Sequence, residues 1–143
     1  MRVEVKAEAK ATEAVDKVCR AIQQLFDVEV SLQEVGYTRI IKGLGDHRAL
    51  YKFRRRLREQ RILDAARQFL YRGKEEGYIR FYLNKQAAYM GRISFCTYEY
   101  GESPLGAITV NIETNDPDTL IAWLAPRTVR GVPVEEVEEP PDP

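Results

Sequence analysis

Metal ligands and thiols are scarce in this chain of 143 residues, which has one histidine and two cysteines. A structural zinc site uses four Cys or His ligands, so Cys19, His47 and Cys96 cannot complete one. We therefore expect no metal and no cofactor. We also expect both cysteines to be free thiols, as is usual inside cells.

Long apolar segments are missing as well. No run approaches the roughly 18 apolar residues that a membrane span needs, and the N-terminus lacks the apolar region of a signal peptide. Hydrophobic residues make up 44% of the chain and charged residues 31%, which is typical of a globular domain. The sequence therefore predicts a soluble, cytoplasmic protein.

Signatures of catalysis are also absent. The single His47 has no recognisable partner, and Ser94 and Ser103 lie outside any nucleophile motif. No pair of carboxylates is spaced for acid–base chemistry. We predict that the protein is not an enzyme.

Charge is what the chain has in abundance, and it is segregated. The formal net charge is zero. Residues 39–92 nevertheless hold 15 basic and 5 acidic side chains, whereas residues 93–143 hold 2 basic and 10 acidic ones. Such asymmetry is typical of proteins with a polyanionic partner or an acidic tail.

The C-terminal residues 131–143 have a composition of their own. They contain four prolines and five acidic residues. The apolar residues that remain are too few to form a core. We predict one α+β domain over residues 1–130 and a disordered acidic tail over residues 131–143. A further hypothesis is that residues 134–142 fold back on the basic part of the chain and compete with an anionic partner.

Hydrophobic periodicity predicts the order of elements. Alternation over residues 2–10 indicates a strand, followed by a helix that Thr12 caps and then a hairpin that turns at Gly36. Two helices follow a cap at Asp46 or Gly45, the second ending at Gly73. Strands are then expected around residues 78–83, 93–95 and 108–112, and Asp116-Pro117 begins a last helix. The resulting fold class is α+β, a mainly antiparallel sheet with helices packed on one side.

The basic helix of residues 51–61 is the first candidate site, because its arginines could neutralise several phosphates of a nucleic acid. The alternative is a solvated helix whose arginines pair with acidic side chains elsewhere in the chain. The candidate phosphate contacts are Lys52, Arg54, Arg55, Arg56, Arg58, Arg61, Lys85 and Arg92.

Tyr78, Arg80 and Tyr82 form the second candidate site, because alternation places them on the outward face of one strand. Aromatic rings and guanidinium planes can stack with unpaired bases. Tyrosines are equally common in subunit interfaces, so burial against a second subunit remains the alternative.

Four sequence blocks carry a family resemblance: RILDAAR, FYLNKQAAYMGRISF, SPLGAITVNIE and LIAWLAPRT. The residues and order of these blocks resemble those of a small uncharacterised archaeal protein family. The resemblance extends from the first strand to about Thr128. The resemblance implies a fold related to RNA-binding proteins and the ribosomal protein L-five superfamily, and a tendency to form homodimers. It implies no catalytic residues.

Two functions remain open from the sequence. The first is non-enzymatic binding of structured RNA through the basic helix. The second is a homodimeric interaction or scaffold module without RNA binding, in which the Tyr78 face or a neighbouring strand edge is buried between subunits.

Overall fold

The structure is a computed structural model that describes residues 1–102 and 105–143. Ser103 and Pro104, the start of the third resemblance block, lie outside the described residues. The helices are α1 (Val15–Leu25), α2 (Tyr51–Glu59), α3 (Leu63–Arg72), α4 (Lys85–Tyr89) and α5 (Pro117–Leu124), and a 3-10 turn, His47–Leu50, leads into α2. The strands are β1 (Arg2–Ala9), β2 (Glu29–Val35), β3 (Thr38–Gly45), β4 (Lys74–Glu75), β5 (Tyr78–Asn84), β6 (Phe95–Cys96), β7 (Ala107–Glu113), β8 (Thr128–Val129) and β9 (Val132–Pro133).

Seven of the described strands form one antiparallel sheet in the order β2-β3-β1-β7-β5-β4, with β6 also paired to β5. The register of β1 on β7 pairs Val5 with Val110, and the register of β5 on β7 pairs Phe81 with Val110. Residues at paired positions share a sheet face, so the apolar alternation of three strands adds up to one continuous buried face.

The helices cover that face and complete the core. Phe53 of α2 stacks on Phe26 with ring centroids 5.0 Å apart and on Phe81 of β5 at 5.5 Å. Trp123 of α5 is fully buried beside them. The opposite face of the sheet has no helix packed on it within the described residues and carries Lys6 and Arg80 in exposed positions. The predicted α+β class with a mainly antiparallel sheet is confirmed.

Local chemistry explains most helix boundaries. Asp116 accepts a hydrogen bond from Thr119 N, and Pro117 takes the first turn of α5, as its sequence predicts. Asp46 caps the turn before α2 by accepting from Arg48 N. The prediction that Thr12 caps α1 is wrong, because the helix begins at Val15 after a turn in which Glu13 N donates to Lys10 O.

Two predictions for the second half of the chain also need correction. The residues after β5 were expected to lead into another strand, but Asn84 accepts a hydrogen bond from Ala87 N and starts the short helix α4. The strand expected at residues 93–95 is only the two-residue β6, which pairs with Tyr82 and Leu83.

The tail differs from the expected disorder. Residues 132 and 133 pair with 128 and 129 in a small hairpin, and Pro140 is buried. The Met1 ammonium lies 3.2 Å from a carboxylate oxygen of Asp142. Low hydrophobicity does not prevent this docking, because polar contacts of the tail add to the packing of Val137 and Pro140. The domain boundary at residue 130 stays a prediction.

None of the helices in the described part of the chain is long and apolar enough to cross a membrane.

Gly73 provides a test of the packing between α3 and β5. Its backbone lies so close to β5 that an added Cβ would fall 1.7 Å from the carbonyl oxygen of Arg80. We expect Gly73→Ala to lower the free energy of unfolding by about 3 kcal/mol, because the backbones must separate. Urea denaturation measures this loss.

Gly36→Ala is the matched control. Gly36 has a φ of 63°, but a Cβ added there would meet no atom of the rest of the structure within 4 Å, so only backbone strain of about 1 kcal/mol should appear. Equal losses in the two variants would contradict the close approach at Gly73.

Candidate nucleic-acid interface

The arginines of α2 fall into two groups, and the first group binds backbone carbonyls. Arg56 donates from Nε to Gln24 O at 2.9 Å and from a terminal nitrogen to Gly91 O at 3.0 Å. The side chain thereby joins α2 to the end of α1 and to the loop after α4. Hydrogen bonds from a charged donor are stronger than neutral ones, so Arg56 is a structural contact as well as a surface cation.

Arg54 and Arg58 make the corresponding contact with α5. Arg54 Nε donates to Trp123 O at 2.8 Å, and its guanidinium lies 5.0 Å from the centre of the Trp123 ring. Arg58 donates to Leu124 O at 3.4 Å. These carbonyls end α5, where the helix dipole favours a cation. Burial, with the neighbouring charge of Arg58, lowers the pKa of Arg54 below its ordinary value.

The other cations of α2 pair with carboxylates or face solvent, and Lys52, whose side chain is 25% exposed, also binds a backbone carbonyl. Arg55 is 67% exposed and pairs with Glu59 at 3.4 Å, one helical turn away. Lys52 donates to Gln23 O at 2.9 Å and pairs with Asp27 at 3.3 Å. Arg61 is exposed beyond the end of α2 and has a φ of 58°. Exposed ion pairs of this kind are weak, so an incoming phosphate can replace the carboxylates.

Helix α1 and the loop after α4 extend this exposed group. Lys17 and Arg20 lie over the ring of Tyr89, at 5.9 Å and 5.5 Å from its centre. Arg92 is exposed directly after Gly91, the residue that Arg56 binds. Within the described residues, Lys17, Arg20 and Arg92 have no ion-pair partner. We call the whole surface the basic face, which comprises Lys17, Arg20, Lys52, Arg55, Arg56 and Arg92.

Sequence inspection missed the contribution of α1. Its signal was present, because Lys17 and Arg20 are three residues apart on the side of an amphipathic helix that faces away from Val18 and Ile22. Helical periodicity alone cannot show that this side lies next to Tyr89 of α4.

Lys85 does not lie on this surface. The side chain is 4% exposed, and its ammonium donates to Glu8 O at 2.7 Å, Glu13 Oε1 at 3.0 Å and Leu105 O at 2.6 Å. An ammonium has three hydrogens, so these acceptors saturate it. Lys85 is therefore a core contact between β1, α4 and the loop before β7. Removing one partner of such a buried ion pair would leave an uncompensated charge.

Tyr78, Arg80 and Tyr82 lie on the uncovered face of the sheet, as their alternation predicts. The Arg80 guanidinium lies 5.6 Å from the Tyr78 ring centre, and both tyrosines are half-buried. The surrounding face carries charges of both signs, including the pairs of Arg2 with Glu113 and of Lys42 with Glu4. A mixed face attracts a polyanion less than the basic face does.

Comparison with known proteins identifies relatives with the same fold. A family model described as RNA binding matches residues 2–114, a range that includes every residue of the basic face. A UPF0201 protein of Sulfurisphaera tokodaii is 46% identical over 143 residues, covering 99% of this chain and 98% of that protein. Another UPF0201 protein, from Metallosphaera sedula, is 44% identical over 142 residues and covers 99% of both chains.

A solved structure gives the same result. The crystal structure of a UPF0201 protein from Methanococcus jannaschii is 34% identical and has a TM-score of 0.84, with coverage of 94% of this chain and 100% of that chain. The chain belongs to the archaeal UPF0201 family, within the class of α+β proteins that the RNA-binding family model describes. The resemblance seen in the sequence blocks is thereby confirmed.

Arg56 and Arg55 offer a test of the division among the arginines of α2. We expect Arg56→Ala to lower the free energy of unfolding by about 2 kcal/mol, because two backbone carbonyls lose their charged donor. Arg55→Ala removes the same side chain one position away and should cost less than about 0.5 kcal/mol. Urea denaturation of both variants measures the difference, and similar losses would contradict the structural role of Arg56.

Proposed function

We propose that this protein binds structured RNA through the basic face and acts by binding rather than by catalysis. The observation that carries the proposal is the arrangement of Lys17, Arg20 and Arg92 around Tyr89 and the loop that Arg56 binds, since these three cations have no ion-pair partner in residues 1–102 and 105–143. The family model described as RNA binding covers these residues and supports RNA as the ligand class.

The fixed positions of cations on the basic face favour the phosphates of a folded RNA as their ligand. The basic face is held in place by hydrogen bonds from Lys52 and Arg56 to the last carbonyls of α1. Lys52 and Arg56 therefore have fixed positions before the ligand arrives, which reduces the cost of ordering these two cations. Double-stranded RNA is recognised mainly through its shape and its phosphate and 2′-hydroxyl groups, so a rigid basic surface suits it.

The proposed interface differs in part from the residues that the sequence suggested. Lys52, Arg55, Arg56 and Arg92 remain in it. Lys17 and Arg20 join it, and Lys85 leaves it because its donors are used inside the fold. Arg61 lies beyond the end of α2, outside the surface that the α1–α2 junction defines.

Charge reversal on the basic face tests the proposal. We expect Arg20→Glu combined with Arg55→Glu to weaken binding to a short RNA hairpin by about tenfold or more at about 0.1 M salt. The slope of log K against log salt should shrink by about two, one unit for each lost phosphate contact. Fluorescence anisotropy over a salt series provides both values.

Lys6→Glu combined with Arg80→Glu is the matched control. It makes the same change in charge on the uncovered face of the sheet, beside the Tyr78, Arg80 and Tyr82 platform. Affinity should change far less in this variant. A greater loss in the control than in the first variant would place the RNA on the sheet and overturn the assignment.

Self-association is a second candidate, and the edge of β2 is the observation that favours it. Strand β2 pairs only with β3 among the described strands, so one edge of seven residues has free backbone groups. Leu32 and Val35 are exposed along it. Natural proteins usually protect such an edge, and pairing with a second copy about a two-fold axis is one way.

Light scattering tests the second candidate. We expect a dimer at micromolar concentration, and Leu32→Lys combined with Val35→Lys should give a monomer because charges at an edge oppose strand pairing. Met90→Lys, at an exposed position on the helical side, should leave the mass unchanged. A monomeric unsubstituted protein would contradict the candidate.

A further inference from the structure

The C-terminal segment 134–142, which we call the strap, lies across the side of α2 that faces away from α1. Val134 N donates to Arg127 O at 2.9 Å, and the indole nitrogen of Trp123 donates to Glu138 O at 3.3 Å. Val137 packs against the core, and its carbonyl oxygen lies 3.4 Å from Arg54. The strap therefore has a defined path over α2 and α5.

One carboxylate of the strap forms ion pairs with two guanidinium groups of α2, those of Arg54 and Arg58. Glu136 binds Arg58 directly and lies 3.9 Å from Arg54. The Glu136 side chain is 46% exposed, whereas those of Arg54 and Arg58 are 23% and 24% exposed. An external anion that binds the same guanidinium nitrogens therefore competes with Glu136.

The two arginines are arranged before any ligand binds. Arg54 Nε and one Arg58 nitrogen are fixed on the carbonyls of Trp123 and Leu124, which leaves their other nitrogens directed towards the strap. Paired guanidinium groups suit phosphate as well as carboxylate, because both anions present oxygens at the spacing of the guanidinium fork.

The geometry points to a phosphate-binding site formed by Arg54 and Arg58, which Glu136 of the strap occupies until a phosphate group of RNA displaces it. This inference rests on the proposed RNA binding and adds regulation of the same helix. RNA bound to the basic face would extend across α2 only after Glu136 leaves the two arginines. Glu136 therefore competes with RNA phosphates for Arg54 and Arg58.

The competitor is charged but weakly held. The hydrogen bond from Arg58 keeps the pKa of Glu136 below its ordinary value, so the carboxylate stays ionised at neutral pH. Nearly half of its side chain remains in water, where an ion pair gains little. A phosphodiester of RNA carries one negative charge and two free oxygens, as a carboxylate does, so it can replace Glu136 in this weakly held ion pair.

The test compares two neighbouring glutamates. Glu136→Gln removes the competing charge, whereas Glu135→Gln makes the same change at a residue whose ion-pair partner is the exposed Arg127, at 3.3 Å. Both variants have the same net charge, so any difference between them is specific to the site. Calorimetry measures the affinity of the full chain and both variants for inorganic tripolyphosphate and for an RNA hairpin.

Trp123 provides a local signal, since it is the only tryptophan in the chain and lies against Arg54. We expect Glu136→Gln to bind tripolyphosphate and RNA about two- to fivefold more tightly than Glu135→Gln, the size of one exposed ion pair. Tripolyphosphate should also change the emission of Trp123 in the unsubstituted protein.

The outcomes separate this inference from the proposed function. Equal affinities of the two variants for tripolyphosphate, or an unchanged Trp123 emission, would overturn the inference even if RNA binds. A tighter Glu136→Gln complex with tripolyphosphate, together with no RNA binding by any variant, would support the site and reject RNA as its ligand.

Discussion

Hydrogen bonds from the α2 arginines to backbone carbonyls are the interactions on which the rest of the structure depends. Arg54, Arg56 and Arg58 reach the ends of α1 and α5 and the loop after α4. Helix ends leave carbonyls without partners, and a half-buried guanidinium has donors that must be satisfied. The guanidinium groups donate to the free carbonyls, and the carbonyls satisfy the guanidinium donors. These hydrogen bonds fix the helical layer on the sheet, with α2 at its centre.

The same bonds decide which charges remain for a ligand. An arginine bound to a carbonyl keeps its charge but loses the conformational freedom of its side chain. Arg55 and Arg20 keep both the charge and the conformational freedom. The strongly basic middle of the chain is therefore divided by packing into a rigid surface towards α1 and a second surface towards α5. The acidic C-terminus covers only the second one, so the charge segregation seen along the sequence becomes a segregation in space.

Sequence patterns predicted what local periodicity determines. The alternation in β1, β5 and β7 and the Asp116-Pro117 start of α5 were visible because neighbouring residues produce them. The short helix α4, the burial of Lys85 and the docking of the strap depend on contacts between distant segments, such as Lys85 with Glu13. A list of basic residues likewise could not separate Arg55 from Arg56, because their different partners come from α1 and the loop after α4.

Arginine modification by phenylglyoxal, followed by mass spectrometry, tests the division of the arginines most directly. The account predicts fast modification of Arg20, Arg55 and Arg92 and slow modification of Arg54 and Arg56 in the free protein. An RNA hairpin should then protect the fast group. Modification of Arg56 as rapid as that of Arg55, or a fast group that stays reactive with RNA bound, would contradict the account.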